Sequence, residues 1–171
     1  TVIGKMSGVV TVDQGALPPD LKPVTPGADE AFLVESFNRI LVSQPQLPAR
    51  DGCLPFTRQL DVFVEKLELL PFEEAKLYGL NAMHAMAGYL AWLLQLETMA
   101  ELKQYEDVLA LVRTAALDEV GTALCRRYAG ADPLFTPTGF AAYVDDLLTR
   151  MVNPFLRDRV ARVTRDPARK L

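Results

Sequence analysis

Apolar and polar positions follow two different rhythms along this 171-residue chain. Residues 1 to about 27 run T-V-I-G-K-M, G-V-V-T-V and then L-P-P-D-L-K-P-V-T-P-G, which reads as short strands followed by an extended connection. The segment from Glu30 to Ser43 fits either a strand or an amphipathic helix, and is read here as a strand. Pro45, Pro48, Gly52 and Pro55 then punctuate a loop. From Thr57 onward the apolar positions recur at helical spacing, predicting helices at about 57–69, 72–95, 98–112, 114–129 and 138–151.

Helix-end signals support the second rhythm. Pro71 suits the start of the long central helix, where a missing N–H costs nothing, and Glu73 and Glu74 in its first turn suit the helix dipole. Gly130 after Arg126, Arg127 and Tyr128 is a C-terminal stop, and A-D-P-L-F-T-P-T-G is the next connection. Asn153-Pro154 offers an N-cap followed by proline, predicting a basic helix at the end of the chain.

Composition narrows the class. Half of the residues are hydrophobic and 23% charged, enough apolar surface for a sizeable core. The most apolar run, Ala82 to Leu96, contains His84 and Gln95 and is too short for a clean membrane span. The N-terminus shows no basic-then-apolar signal pattern, so a cytoplasmic location is expected. Cys53 and Cys125 lie far apart without C-x-x-C spacing, and a single histidine without H-E-x-x-H argues against a dedicated zinc site. Charge is uneven: six basic residues against two acidic ones give residues 153–171 a charge of +4, leaving −8 on the rest of a chain of net −4. Arginines in that stretch suit phosphate or carboxylate groups, and a solvated helix with internal ion pairs is the alternative. The stretch is too short, and the protein too acidic, for nucleic acid to be the expected partner.

The chemistry concentrates in K-L-Y-G-L-N-A-M-H, residues 76–84. On an ideal α-helix Lys76 lies at ~0°, His84 at ~80° and Asn81 at ~140°, so three polar groups share one flank of an apolar, presumptively buried segment. Ala87, Ala91 and Gly88 follow on the same side at ~20°, ~60° and ~120°. They leave room for a ligand, or else for the close approach of a neighbouring helix with Asn81 and His84 as satisfied core groups. A lysine amine in such a place needs an explanation, since desolvation is what turns it into a proton acceptor near neutral pH. A non-catalytic helical binding module, with Lys76 paired to a carboxylate, is the competing reading.

The run E-A-K-L-Y-G-L-N-A-M-H-A-M-A-G-Y-L-A resembles the signature helix of the polyol-specific long-chain dehydrogenases, R-K-L-x-x-L-N-x-x-H-x-x-x-x-Y-L-G. Lys76, Asn81, His84 and Tyr89-Leu90 fall in register. Residues 153–171, N-P-F-L-R-D-R-V-A-R-V-T-R-D-P-A-R-K-L, are similar to a segment of the mannitol-1-phosphate branch of that family. Ala75, Ala82-Met83 and Ala91 depart from the pattern, and bear on the substrate more than on the reaction.

The resemblance implies a mainly α, multi-helix substrate domain, like the C-terminal domain of 6-phosphogluconate dehydrogenase, over residues 46–171. Residues 1–45 would be the β-rich tail of a dinucleotide-binding sheet and the crossover. The family places a Rossmann domain ahead of this region, while the chain has no G-x-G-x-x-G, starts at Thr1 and stops at R-K-L; a piece of a longer polypeptide is expected. The implied reaction interconverts a sugar alcohol, mannitol 1-phosphate or a related polyol, with its keto sugar using NAD and no metal. Lys76 would be the general base, Asn81 and His84 would hydrogen-bond the reacting oxygen, and Asn153, Arg162 and Arg169 would contact the substrate. No cofactor-binding residue is assigned within the chain.

Overall fold

The computed structural model describes residues 6–11, 30–34, 39–44 and 61–165. The chain divides into two compact units, residues 1–67 and 68–171.

In the first unit β1 (Met6–Thr11) pairs antiparallel with β2 (Glu30–Val34), with an irregularity between Met6 and Val9. Strand β3 (Ile40–Ser43) pairs in parallel with β4 (Phe63–Lys66), in the register Ile40 with Phe63 through Ser43 with Lys66. The segment 30–43 is thus a strand at both ends. The helix expected over 57–69 is corrected: Phe63–Lys66 is a strand. Phe and Val are good strand formers, and a parallel partner distant in sequence overrides a weak helical period. The proline-rich loop after Gln44 and the start of that expected helix lie outside the described residues.

The second unit is helical. Helix α1 (Leu70–Glu74), a π segment (Ala75–Asn81) and α2 (Ala82–Leu93) run on without a break as one long helix, close to the expected 72–95. Pro71 is at its N-terminus and buried. A 3₁₀ turn (Met99–Gln104) follows, opened by a capping box in which the Thr98 backbone N–H donates to Glu101 Oε1 at 2.8 Å. Helix α3 (Glu106–Ala115), a second π segment (Ala116–Gly121) and α4 (Thr122–Arg127) form a second long helix. The break expected near residue 113 therefore falls at Tyr105, whose φ of −120° and ψ of 71° leave the helical region.

Gly130, at φ 80°, ends this helix region as its sequence signals. Asp132 accepts from Leu134 N at 2.9 Å and Thr136 Oγ1 from Gly139 N at 3.0 Å, which starts α5 (Pro137–Met151) close to the expected residue 138. The basic terminal helix is corrected. Asn153 does cap, but only a 3₁₀ turn (Pro154–Leu156), after which Arg157 takes a left-handed conformation (φ 45°) and a short α6 (Val160–Val163) follows. An antiparallel bridge between Thr98 and Arg159 ties this end to the start of the 3₁₀ turn.

The core of this unit follows from these faces. Phe140, Val144, Leu147 and Met151 form the buried stripe of α5, and Met83, Ala87 and Ala91 that of α2. Val112, Leu124, Met99, Leu102, Val160 and Val163 close it from the remaining elements. Among the described residues no helix is long and apolar enough to cross a membrane.

Candidate active site

Lys76 and Asn81 both sit in the first π segment, and His84 in the first turn of α2. In an α-helix residues five apart point well away from each other. In a π turn the backbone N–H of residue i+5 bonds the carbonyl of residue i, so residues five apart lie closer in direction than on an α-helix. The Ala82 N–H reaches Leu77 O across this wider turn. The angle between Lys76 and Asn81, ~140° on an α-helix, is thereby narrowed.

Helix α5 braces this segment. Gly79 has no side chain, and a Cβ there would lie 3.2 Å from Tyr143 Cε1, so the tyrosine ring rests directly on the turn. Its hydroxyl donates to Ala75 O at 3.3 Å. Burial pushes the Tyr143 phenol up to about 12, with Asp146 adding to the rise and Arg150 opposing it, which keeps the hydroxyl a donor. The neighbouring Phe140 stacks on Tyr143 with ring centres 5.7 Å apart, and the second π segment receives it at Gly121, where a Cβ would sit 2.9 Å from Phe140 Cδ1.

The segment is less buried than expected. Leu77 and Tyr78 are about half exposed, Asn81 is exposed, and Lys76 is half-buried. The space anticipated beside His84 is filled. A Cβ on Gly88 would meet Val163 Cγ1 at 2.4 Å, and Ala87 and Ala91 are wholly buried, so these small residues admit α6. Of the departures from the family pattern, Ala75, Met83 and Ala91 lie in the core. Ala82, the remaining departure, is exposed next to Asn81.

His84 is engaged by a residue that sequence reasoning counted only as a charge. Its Nε2 lies 3.0 Å from Oδ2 of Asp158, a carboxylate that is only 7% exposed. Arg162 forks onto the same carboxylate, Nε to Oδ1 at 2.6 Å and Nη2 to Oδ2 at 2.7 Å. These hydrogen bonds raise the Arg162 guanidinium further above its usual range. Arg162, anticipated as a substrate contact, thus directs its fork into the protein. Asn153 likewise uses Oδ1 to accept from Phe155 N at 3.0 Å. Arg169 lies outside the described residues. Asp158 was legible only as the acidic residue inside the second motif, and Tyr143 only as an aromatic three residues after Phe140.

Among the described residues no three His, Cys, Asp or Glu side chains group as metal ligands. For a nicotinamide cofactor the fit is partial: this stretch of helix offers an amine, Lys76, and an amide, Asn81. A pyrophosphate, however, needs a glycine-rich strand-to-helix turn, which the sequence does not contain, so no cofactor contact is assigned.

The lysine, asparagine and histidine of the longest helix of this helical unit stand at the spacing of the polyol-dehydrogenase signature that the sequence resembles. Residues 68–171 match the mannitol dehydrogenase C-terminal domain, and the chain belongs to that family.

Proposed function

We propose that this chain carries the substrate side of an NAD-dependent oxidoreductase that interconverts a sugar alcohol, mannitol 1-phosphate or a related polyol, with its keto sugar. The observation that carries the reading is the π segment, which holds both Lys76 and Asn81 and turns them nearer to one another than an α-helix would. π segments within α-helices are frequent at functional sites, where the irregular register aims side chains that a regular helix would separate.

The chemistry follows from the groups. Bound nicotinamide supplies the hydride acceptor. The Lys76 amine takes the proton of the substrate hydroxyl as the carbon–hydrogen bond breaks and the carbonyl forms. The Asn81 amide donates to the oxygen as its charge develops, and His84 stands one turn further along to hold the substrate. In this reading a lysine fills the role that a metal-bound hydroxide plays elsewhere, and no metal takes part.

The test is turnover of mannitol 1-phosphate, mannitol and a hexuronate-derived polyol by the complete enzyme, followed as NADH formation. Lys76→Ala should lower turnover by about a thousandfold or more while NADH binding stays intact. A chelator should leave the rate unchanged. Undiminished turnover in the lysine variant, or its loss on chelation with recovery on adding metal, would reject the mechanism.

A further inference from the structure

We propose that Asp158 is a positioning residue that fixes the ring and tautomer of His84, leaving His84 Nδ1 as the atom that meets a substrate hydroxyl. The inference rests on the reading of His84 as part of the substrate site.

The carboxylate is built to hold an imidazole in place. It is buried, its oxygens receive two N–H groups from Arg162, and His84 Nε2 lies 3.0 Å from Oδ2. An ionised carboxylate only accepts hydrogen bonds, so the contact at 3.0 Å requires the proton to be on Nε2 of His84. The main chain around it is pinned as well. Asp158 O accepts from Met99 N at 2.9 Å, and Val160 N donates to Glu97 O at 2.9 Å. Thr98, between those two partners, is tied down by Glu101 through its backbone N–H and its hydroxyl. A simple i,i+4 pair of Asp158 and Arg162 on a solvated helix would show two exposed partners, whereas here the carboxylate is buried and faces α2.

The consequence is chemical. With Nε2–H donated to Asp158, a neutral His84 offers Nδ1 only as an acceptor. Its counterpart is a hydroxyl, and a polyol carries hydroxyls on the carbons beside the reacting one. In the charged form Nδ1 becomes a donor, with Asp158 balancing the imidazolium and Arg162 balancing Asp158. The N-P-F-L-R-D-R segment is therefore placed behind the site as its support, with Asp158 contacting His84 and Arg162 contacting Asp158.

His84 is the only histidine of the chain, so isotope-labelled histidine and two-bond proton–nitrogen correlation spectra report on it alone. The unmodified protein should show the Nε2–H tautomer. A ring averaging between tautomers, or fixed as Nδ1–H, would overturn the proposal without any variant being made. In Asp158→Asn, which keeps the shape of the side chain, tautomer mixing should appear and kcat/KM for the polyol should fall about tenfold or more. Mixing with unchanged kcat/KM would also overturn it. The spectra do not depend on catalysis, so they can fail or succeed independently of the Lys76→Ala test.

Discussion

The Tyr143 hydroxyl donates to the Ala75 carbonyl at 3.3 Å, linking α5 to the residue where the long helix changes from α to π register. Such a junction strains the regular ladder, and a side-chain donor there favours the irregular form over a plain α-helix. Tyr143→Phe keeps the ring on Gly79 and removes only this bond. The expected cost is about 1 kcal/mol in denaturant unfolding. Because a relaxed turn would swing Asn81 away from Lys76, turnover should drop more than stability alone predicts. A variant with wild-type activity would show that the hydroxyl does not govern the alignment.

Gly88 offers a sharper test of packing. A methyl group there would lie 2.4 Å from Val163 Cγ1 and 3.1 Å from its Cβ, so α6 must shift. Alanine gains roughly 1 kcal/mol of helix propensity, but overpacking a core contact costs about 1–3 kcal/mol. Gly88→Ala should therefore be destabilised by up to about 2 kcal/mol. Adding Val163→Ala should recover part of that loss, with a coupling near 1 kcal/mol in a double-mutant cycle. Strict additivity would mean the two residues do not meet as described.

These contacts mark what the sequence could and could not disclose. Helix α5 was legible because Thr136 and Pro137 signal its start locally, and the long helix because its apolar period is sustained. Strand Phe63–Lys66 was not, since its state depends on pairing with Ile40–Ser43. The spacing of Lys76, Asn81 and His84 on one flank stood out, yet the π register that narrows the angle between Lys76 and Asn81 did not, because a π turn leaves no mark in hydrophobic pattern. Gly88 allowed either a ligand or a helix, and only the position of Val163 decided between them. Asp158 was invisible as a partner of His84 for the same reason as the strand: the two residues belong to separate elements that packing brings together.

The end of the long helix carries a local strain that can be relieved. Gln95 adopts φ 59°, while Gln95 N donates to Trp92 O at 3.0 Å and Leu96 N to Ala91 O at 3.0 Å. This is the bonding of a Schellman stop, in which glycine ordinarily occupies the left-handed position. The left-handed conformation costs a non-glycine residue about 1–2 kcal/mol, and glycine loses roughly 0.5–1 kcal/mol through its freer unfolded chain. Gln95→Gly should thus stabilise the protein by about 0.5–1 kcal/mol. Thermal unfolding checks this, and a lowered midpoint would argue against the described turn.

Alkaline titration tests the environment of Tyr143 directly. Burial pushes its phenol up to about 12, whereas an unfolded tyrosine ionises near pH ~10. Between those values the folded state keeps a proton that the unfolded state releases, so unfolding becomes progressively easier as pH rises. The associated stability is fully present below about pH 10 and is lost as the pH climbs towards 12. Phenolate absorbance should therefore show one of the five tyrosines ionising late, close to the alkaline unfolding transition. In Tyr143→Phe that late step should vanish and the loss of stability over this range should be shallower. Persistence of the step would assign it to Tyr128, whose phenol is also raised, first by burial and then by the neighbouring Glu74 carboxylate.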